Sequence, residues 1–598
     1  MKLDNAGSSD VIQRFIASEA NEKRKISHKI LSEIKNVSEL EQRKKHVREK
    51  LIEALGGLPG RVPVNALCVS KTKKSCYTVE NIILEAETGV DINLNLYIPN
   101  SNKKVFPAVV FAAGHLPKTD SMHQYPVLEL AKKGYISACF DCLGRGERTS
   151  GNEHFTAGVL SWMNGRCMNR YFIHDSMQVV DYLLTRSDVE SGKIACAGAS
   201  GGGNTSIYHA ALDERISCAV SVCTISSFTD LINFQYSGCP EYYPPGLLGM
   251  GIDIQDIASL ISPRPQLLIG GGCDELNSIE SLKETYAYLK KAYSFYGEND
   301  KVSMYVDDSG KHGCNLLMRR AMYDFLDKYL LPDEKTNNGN IKEEDTATED
   351  PAVLNFAKPC GRSIISYEYA AMQKGRIVDE KQKIRTVLGI NKDIKWNVVS
   401  EATEKTDNLF ISNVSLMTDN GVVIPVTVAG HISGVYRKTI LRLGDISSMT
   451  EVNDGELIVC AEVRGSGSLK LKPTKWDFLN YCSADRAVSS GAIVLGYPII
   501  GQQVFDCLCV LDYVCKRYNA GMKLEISAEG LCSYAAVILA RVTDFEVGVV
   551  NADKISFLEP FENCMAHPDA DISLEEQICL YQTVIPGIID TKPKAEKQ

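Results

Sequence analysis

A short apolar run that breaks at a serine between glycines is the feature that most restricts how this chain folds. Residues 193–204 read KIACAGASGGGN, in which Gly198, Ser200 and Gly202 meet the pattern G-x-S-x-G. The residues before the serine predict a buried strand, and those after it predict a helix. Flanking side chains would collide at so sharp a turn, which explains the glycines. Ser200 is therefore the candidate nucleophile, although such turns are common and the pattern alone is weak support.

An acid and a histidine follow this serine in the order that a catalytic triad on such a turn requires. Residues 261–275, ISPRPQLLIGGGCDE, predict a strand that ends near Asp274. Residues 302–306 predict a further strand, which leads to His312. Asp274 is the candidate acid, with Glu275 as a competing one, and His312 is the candidate base. Singly each could be a helix cap or a solvated loop residue, but the ordered set indicates nucleophilic catalysis.

A loop upstream of the serine offers hydrogen-bond donors for a substrate carbonyl oxygen. Residues 107–113, PAVVFAA, predict a buried strand, and Gly114, His115 and Leu116 follow it. The backbone N–H groups of His115 and Leu116, together with that of Gly201, are the candidate oxyanion hole. We expect the His115 side chain to pack or hydrogen-bond so that it holds this loop, rather than to act as an acid or base.

The segment FDCLGRGER at 140–148 predicts a tight turn that serves as scaffold. Its Asp141 and the glycines at 144 and 146 shape the turn. Its charged residues Arg145, Glu147 and Arg148 are expected to be solvated rather than catalytic.

Further segments occur in a fixed order over residues 40–330. They are LIEALGGLP at 51–59, FDCLGRGER at 140–148, HDSMQVVDYLLTRSDV at 174–189, GASGGGNTS at 198–206, AALDERI at 210–216, CPEYYPPGLLG at 239–249 and IASLISPRPQLLIGG at 257–271. In these the chain resembles the acetylxylan-esterase-like and dienelactone-hydrolase-like branch of the α/β-hydrolases, a group of serine carboxylesterases. The resemblance implies the α/β-hydrolase fold and ester chemistry, with a triad on Ser200, Asp274 and His312. The family often has a proline after its acid, where this chain reads CDELNS, so Glu275 stays open as the acid.

The sequence predicts neither a cofactor nor a metal ion. It contains no phosphate-binding G-x-x-x-x-G-K-[ST] and no H-E-x-x-H. Cys139 and Cys142 form a C-x-x-C, but the second pair of a zinc site is absent. Most of the 20 cysteines lie in apolar runs, as expected of free thiols in a reducing compartment.

Charge and hydropathy restrict the partners. A net charge of −10 without a basic stripe argues against nucleic-acid binding. The first residues lack the apolar h-region of a signal peptide. The sequence also has no uninterrupted run of about 18 apolar residues, which a membrane-spanning helix would need. The expectations are a cytoplasmic protein and a small-molecule ester as its substrate.

Composition divides the chain into four parts. Residues 1–60 are a charged, solvated helical lead-in, and residues 61–331 are the catalytic α/β-hydrolase domain. Residues 332–350 form a polar linker. Residues 351–598 are a faint copy of the preceding domain.

The copy lacks the chemistry of the original. Residues 506–534 align with 175–204, so that Ser200 falls on Gly530. The chain ends before any counterpart of the strands that carry Asp274 and His312. The second half is thus predicted to be a degenerate, truncated α/β-hydrolase domain without a triad, which covers the cleft, binds a substrate or forms a homo-oligomer.

These features favour a serine esterase that acts on short acyl esters, such as acetyl groups, of carbohydrate-like or other polar substrates. The alternatives are a prolyl-oligopeptidase-like peptidase, which would normally bring a propeller domain that is missing here, and a non-catalytic binding or scaffold protein. The intact candidate triad argues against the last.

Overall fold

Two β-sheets, one in each half of the chain, organise the structure. The computed structural model describes residues 11–87, 90–148, 153–234, 239–332, 341–342, 347–356, 364–374, 380–390, 393–419, 421–432, 434–444, 452–471 and 484–553. Helices pack against both sheets. The predicted tandem α/β architecture is therefore confirmed.

The strands of the first half are β1 (Ala66–Lys73), β2 (Tyr77–Glu87), β3 (Val90–Pro99), β4 (Phe106–Ala112), β5 (Ile136–Phe140), β6 (Val189–Ala199), β7 (Cys218–Val222), β8 (Gln266–Gly271) and β9 (Val302–Asp307). They form one sheet in the order β1-β2-β3-β5-β4-β6-β7-β8-β9. The neighbours β1, β2, β3 and β5 pair antiparallel in that order. The remaining neighbours in the sheet, β5, β4, β6, β7, β8 and β9, pair parallel. β4 and β8 are buried at every position, as expected for parallel strands whose two faces are both covered.

The helices of the first half are α1 (Val11–Glu33), α2 (Val37–Ala54), α3 (Ser121–Lys133), α4 (Glu153–Met163), α5 (Asn169–Thr185), α6 (Gly201–Leu212), α7 (Phe228–Asn233), α8 (Ile254–Ser259), α9 (Ile279–Phe295) and α10 (Leu316–Leu330). Polar side chains fix where several of them begin. Asp120 caps α3, Ser278 caps α9 and Asn315 caps α10, each through a side-chain oxygen that accepts a backbone N–H. α6 follows β6 after a single residue, Ser200.

The two N-terminal helices are solvated on one side only. Val11, Ile12, Phe15 and Ile16 of α1 are buried. The prediction of a solvated lead-in is therefore wrong for one face of this segment, because an apolar stripe at helical spacing runs through its charges.

The second half contains α11 (Pro351–Leu354), α12 (Ile364–Lys374), α13 (Lys381–Val387), β10 (Trp396–Lys405), β11 (Leu409–Thr418), β12 (Val423–His431), β13 (Lys438–Leu443), β14 (Glu456–Ala461), α14 (Ala484–Leu495), α15 (Ile499–Tyr518), β15 (Lys523–Ala528), α16 (Cys532–Val542) and β16 (Glu546–Ala552). Its sheet has the order β10-β11-β12-β14-β13-β15-β16, which repeats the first seven positions of the other sheet. Antiparallel and parallel pairs fall at the same places. Counterparts of β8 and β9 are absent from the described residues, and residues 554–598, on which the predicted truncation depends, lie outside them.

The repeat extends to the turn after β5 and its counterpart after β14. Gly146 has a φ of 53°, and an added Cβ would lie 2.3 Å from the carboxylate of Asp141. Gly467 has a φ of 51°, and its Cβ would lie 2.4 Å from the carboxyl carbon of Glu462. In both halves an acidic side chain occupies the space that a glycine leaves open, so the two turns have the same local structure.

The halves pack directly against each other. The N–H of Gly246 donates to the carbonyl oxygen of Ile493 at 2.8 Å, and an added Cβ on Gly249 would lie 2.3 Å from the carbonyl oxygen of Leu495. Glu368 of α12 is fully buried against the first half, where it accepts hydrogen bonds from the hydroxyls of Ser161 and Tyr171, both at 2.7 Å. Elements of the second half thus support the segment that contains α4 and α5.

The end of the predicted linker is docked rather than free. Glu349 is buried, accepts a hydrogen bond of 2.6 Å from the Tyr77 hydroxyl and pairs with Lys74 at 2.6 Å. In the described part of the chain, no single helix is long and apolar enough to cross a membrane, whereas residues 486–495 and 499–518 satisfy the criterion jointly across a bend of 78°.

Candidate active site

Ser200 stands between β6 and α6 in a strained backbone conformation. Its φ is 55° and its ψ is −124°, which residues other than glycine rarely adopt. Its N–H donates to the carbonyl oxygen of Val222 at 2.9 Å. A Cβ on Gly202 would lie 2.0 Å from the carbonyl oxygen of Ala112, so glycine alone fits there. The turn therefore presents the serine at the carboxyl end of the parallel strands.

His312, on the loop between β9 and α10, contacts this serine. Its Nε2 lies 2.9 Å from Ser200 Oγ, across 112 positions of sequence. Its Nδ1 lies 3.1 Å from each carboxylate oxygen of Asp274. An imidazole that donates its Nδ1–H to a carboxylate leaves Nε2 without a proton, so that nitrogen can accept the serine proton.

Asp274 and Glu275, the two candidate acids, lie in different surroundings. The Asp274 carboxylate accepts hydrogen bonds from the N–H groups of Leu276 at 2.9 Å and Asn277 at 3.1 Å. Burial alone would raise the pKa of Asp274, but the hydrogen bond and charge of His312 and the hydrogen bonds from Leu276 and Asn277 hold it below its usual value. Glu275 is exposed to solvent. The structure thus brings Asp274, and not Glu275, to His312.

The residues predicted to form an oxyanion hole adjoin the serine. Gly201 begins α6, so its N–H has no acceptor within the helix. An added Cβ on Gly114 would lie 3.5 Å from the nitrogen of Gly201, which places the loop after β4 against the first turn of α6. The N–H of Gly114 donates to Nε2 of His123 at 3.0 Å. Next along this loop are His115 and Leu116, whose N–H groups are the predicted donors.

A buried carboxylate joins two histidines beside this loop. Nε2 of His115 lies 2.7 Å from Oε1 of Glu241, and Nε2 of His154 lies 3.0 Å from Oε2. We call His115, Glu241 and His154 the Glu241 bridge. Burial would raise the pKa of Glu241, but the two imidazoles hold it far below its usual value. Burial lowers the pKa of His154 to about 4.

The neighbouring Tyr242 lies beside Thr224. Its partly buried hydroxyl lies 3.4 Å from Oγ1 of Thr224. Burial raises the pKa of Tyr242 well above its usual value, so the hydroxyl keeps its proton.

A family model, a relative and a solved structure are similar to this chain. The family model of the X-Pro dipeptidyl-peptidase (S15 family), which belongs to the α/β-hydrolase superfamily, matches residues 88–249. Over 300 residues the chain is 28% identical to "Putative hydrolase YtaP" of Bacillus subtilis (strain 168), which covers 47% of this chain and 98% of that protein. Methylesterase BT1017 superposes with a TM-score of 0.51 at 22% identity, over 59% of this chain and 81% of its own. That likeness concerns the fold.

The chain has the α/β-hydrolase fold. In its second half, the turn that corresponds to Ser200 carries no hydroxyl. Gly530 follows β15 with a φ of 55°, the same value as Ser200. Ser533 is buried and donates to the carbonyl oxygen of Ala528 at 3.1 Å. Burial raises the pKa of the Cys532 thiol, as expected of an unreactive cysteine.

Other features of the chain that the sequence singled out are structural. Trp162 is fully buried and its Nε1–H donates to the carbonyl oxygen of Tyr243 at 3.2 Å. Cys139 is buried, and burial raises its pKa to about 12. Arg148, expected to be solvated, is instead buried in an ion pair of 2.7 Å with Asp175. The expectation for Arg148 is wrong because the turn that carries it folds inward over α5.

Sequence reasoning did not single out Glu241, His154, Tyr242 or Asn277. Glu241 and Tyr242 belong to CPEYYPPGLLG, which carried part of the family resemblance and could have drawn attention to them. No spacing rule connects them to the oxyanion loop, since His115 and Glu241 are 126 positions apart.

Proposed function

We propose that this α/β-hydrolase is a serine esterase that works through an acyl-enzyme. Ser200 is the nucleophile, His312 the general base and Asp274 the acid that orients it. The observation that carries the proposal is the 2.9 Å contact between Ser200 Oγ and His312 Nε2, with Asp274 at Nδ1. A serine hydroxyl is a weak nucleophile unless such a base removes its proton.

In the first half-reaction His312 Nε2 takes the proton of Ser200 as Oγ attacks the ester carbonyl carbon. The imidazolium that forms is stabilised by Asp274, whose lowered pKa keeps it ionised. The N–H of Gly201, with that of His115 or Leu116, donates to the carbonyl oxygen as it becomes negative. The imidazolium then protonates the leaving alcohol, and the acyl group stays on the serine.

In the second half-reaction water takes the place of the alcohol. His312 accepts a proton from this water as its oxygen attacks the acyl carbon, and returns the proton to Ser200 when the acid leaves. Every proton thus moves through His312, and these steps use side chains and backbone N–H groups of this chain.

The proposed substrates are short acyl esters of polar, carbohydrate-like alcohols, an inference from the family resemblance. The fold neighbour named as a methylesterase suggests a complementary case, in which the small group is the alcohol. A substrate panel therefore needs both acetyl esters and methyl esters.

A dipeptidyl peptidase is the second candidate, favoured by the match to the S15 model. Such an enzyme must recognise a free amino terminus, for which an available carboxylate is the natural partner. The acid that lies beside the oxyanion loop, Glu241, already has a histidine on each oxygen. This occupancy favours the esterase.

The test is hydrolysis of p-nitrophenyl acetate and its longer acyl homologues by the wild type and by Ser200→Ala, with Ser533→Ala as the matched control. We expect the Ser200 variant to lose several orders of magnitude in kcat and labelling by a fluorophosphonate, while the control keeps both. Cleavage of an X-Pro p-nitroanilide but of no ester would favour the peptidase. An unlabelled wild type that cleaves neither would indicate a non-catalytic binding protein.

A cytoplasmic location, a small-molecule substrate and assembly through the second half stay predictions. Size-exclusion chromatography with light scattering tests the last of them.

A further inference from the structure

Four side chains with metal-binding atoms meet beside the loop after β4. They come from three separate segments of the chain and are His115, His154, Cys239 and Glu241. One ligand atom from each residue lies within 4.8 Å of those of the other three. We call this set, which consists of the Glu241 bridge and Cys239, the four-residue cluster.

The spacing of these ligand atoms fits one small cation. Bonds of about 2.0–2.3 Å to nitrogen, oxygen and sulfur place the ligand atoms of a tetrahedral Zn²⁺ about 3.3–3.8 Å apart. The two histidine nitrogens now lie 2.7 and 3.0 Å from the carboxylate oxygens of Glu241. To admit the ion, these contacts open and the widest separations close by about 1 Å or less, which side-chain rotation allows.

Backbone packing holds together two of the segments that carry these ligands. Cys239 and Glu241 flank Pro240 in one short turn. An added Cβ on Gly158 of α4 would lie 2.2 Å from the Cβ of Pro240, so this helix packs tightly against the turn. His154 belongs to the first turn of the same helix. Ligands that rigid elements hold in place lose less conformational entropy when a metal binds.

The charge of the four-residue cluster favours a bound cation. The side chains of Glu241 and His154 are 0% and 1% exposed, and Cys239 is buried as well. A carboxylate buried as deeply as this needs a positive partner. Among the described residues, no lysine or arginine lies within ion-pair distance of Glu241. A divalent cation together with a carboxylate and a thiolate forms a site without net charge, which suits a buried position.

We propose a structural Zn²⁺ site whose four ligands are His115, His154, Cys239 and Glu241. Thiolate, imidazole and carboxylate are the groups that bind zinc in proteins. Both imidazoles bind as neutral ligands, and the Cys239 thiol releases its proton to solvent as the sulfur binds the metal. Four protein ligands leave no open position for water or substrate, so the ion is structural rather than catalytic.

The ion fixes the loop after β4 beside the nucleophile turn. His115 is on this loop, and an added Cβ on Gly201 would lie 3.1 Å from Cε1 of its ring. The His115 side chain is 24% exposed, so the metal enters from its side of the cluster. The sequence predicts no metal because its spacing patterns are local, whereas His115 and Glu241 are 126 positions apart.

Metal analysis of the whole chain, purified without a metal-affinity tag or a chelator, tests the proposal. We expect about one equivalent of zinc per chain by mass spectrometry of the elements. After dialysis against a chelator, the protein should take up the same amount from ZnCl₂ in calorimetry. Co²⁺ in place of Zn²⁺ should give a thiolate-to-cobalt charge-transfer band and the visible bands of a tetrahedral site.

The variants Cys239→Ser and Glu241→Gln test the ligands, with the exposed Cys68→Ser as the matched control. Loss of a residue that only supports a ligand lowers metal affinity by about 10- to 100-fold, so loss of a ligand should lower zinc affinity by at least about 100-fold. Cys239→Ser should also abolish the charge-transfer band, whereas the control should keep the affinity and the band. Near-ultraviolet circular dichroism checks that each variant is folded.

Three results would overturn the proposal, and none of them depends on whether the protein is an esterase. The first is a folded wild type that contains less than about a tenth of an equivalent of zinc and takes up none from micromolar ZnCl₂. The second is zinc binding by both folded ligand variants that is as tight as in the wild type. The third is a cobalt form without the charge-transfer band, because Cys239 would then not be a ligand.

Discussion

Replacing Asp274 by asparagine tests the assignment of the acid directly, with Glu275→Gln as the matched control on the adjacent residue. Asp274 is the one carboxylate among the described residues that contacts Nδ1 of His312, at 3.1 Å from both of its oxygens. An asparagine amide at this place favours the tautomer with its proton on Nε2, which cannot accept the serine proton. It also removes the negative charge that stabilises the imidazolium.

The expected loss follows from these two effects. In a triad of this geometry they lower kcat by about 10⁴-fold, which corresponds to about 5 kcal/mol of transition-state stabilisation. Glu275 is exposed, so Glu275→Gln should stay within about twofold of the wild type. Because the asparagine keeps the shape of the side chain and can still accept the N–H groups of Leu276 and Asn277, the fold should be retained.

The assay is the initial acyl-enzyme burst and kcat with p-nitrophenyl acetate at pH 7, together with near-ultraviolet circular dichroism. A large loss in Glu275→Gln together with a loss below about tenfold in a folded Asp274→Asn would refute the assignment. Equal large losses in both variants would show that the loop after β8, rather than one carboxylate, is what His312 requires.

Further predictions concern stability. Gly202→Ala should lower the free energy of unfolding in urea by about 1–3 kcal/mol and reduce activity, because its Cβ would lie 2.0 Å from the carbonyl oxygen of Ala112. The control Gly192→Ala, whose Cβ would have nothing within 4 Å, should leave the free energy of unfolding unchanged. Glu368→Ala should cost about 3–5 kcal/mol in chemical denaturation by leaving its buried partners unpaired, and Glu368→Gln less. Burial raises the pKa of Asp253 to about 7, so the stability it contributes is complete below pH 4 and is lost as pH rises through 7. In urea melts the wild type should therefore lose about 3 kcal/mol more than Asp253→Asn between pH 5 and pH 8, and equal losses would contradict this account.

The local features of the fold were predictable because neighbouring residues encode them. The strand before Ser200 and the helix after it follow from patterns within about ten residues. The second sheet was predictable because residues 506–534 align with residues 175–204 of the first half. The solvated character of α1 and of Arg148 was mispredicted because charge along the sequence does not reveal which face a neighbouring element covers.

The candidate site was predictable only where chain order and local chemistry sufficed. Ser200, Asp274 and His312 follow the order that the fold imposes, so their types and loop positions were enough to select them. The sequence left Asp274 and Glu275 open, because adjacent residues share the same local signal. Their different surroundings arise from the turn after β8, which directs one side chain to His312 and leaves the other in solvent.

By itself the sequence determined the tandem α/β folding pattern, the strained serine turn and the loss of the hydroxyl at Gly530, since each depends on residues that are close in the chain. Only the tertiary structure decided which acid meets His312, that Glu241 joins His115 to His154, and that Glu368 of the second half supports the segment that contains α4 and α5. His154 and Glu241 are 87 positions apart, and Ser161 and Glu368 are 207 apart. Contacts at such separations depend on how sheets, helices and halves pack against one another, and the pattern of one segment does not contain that information.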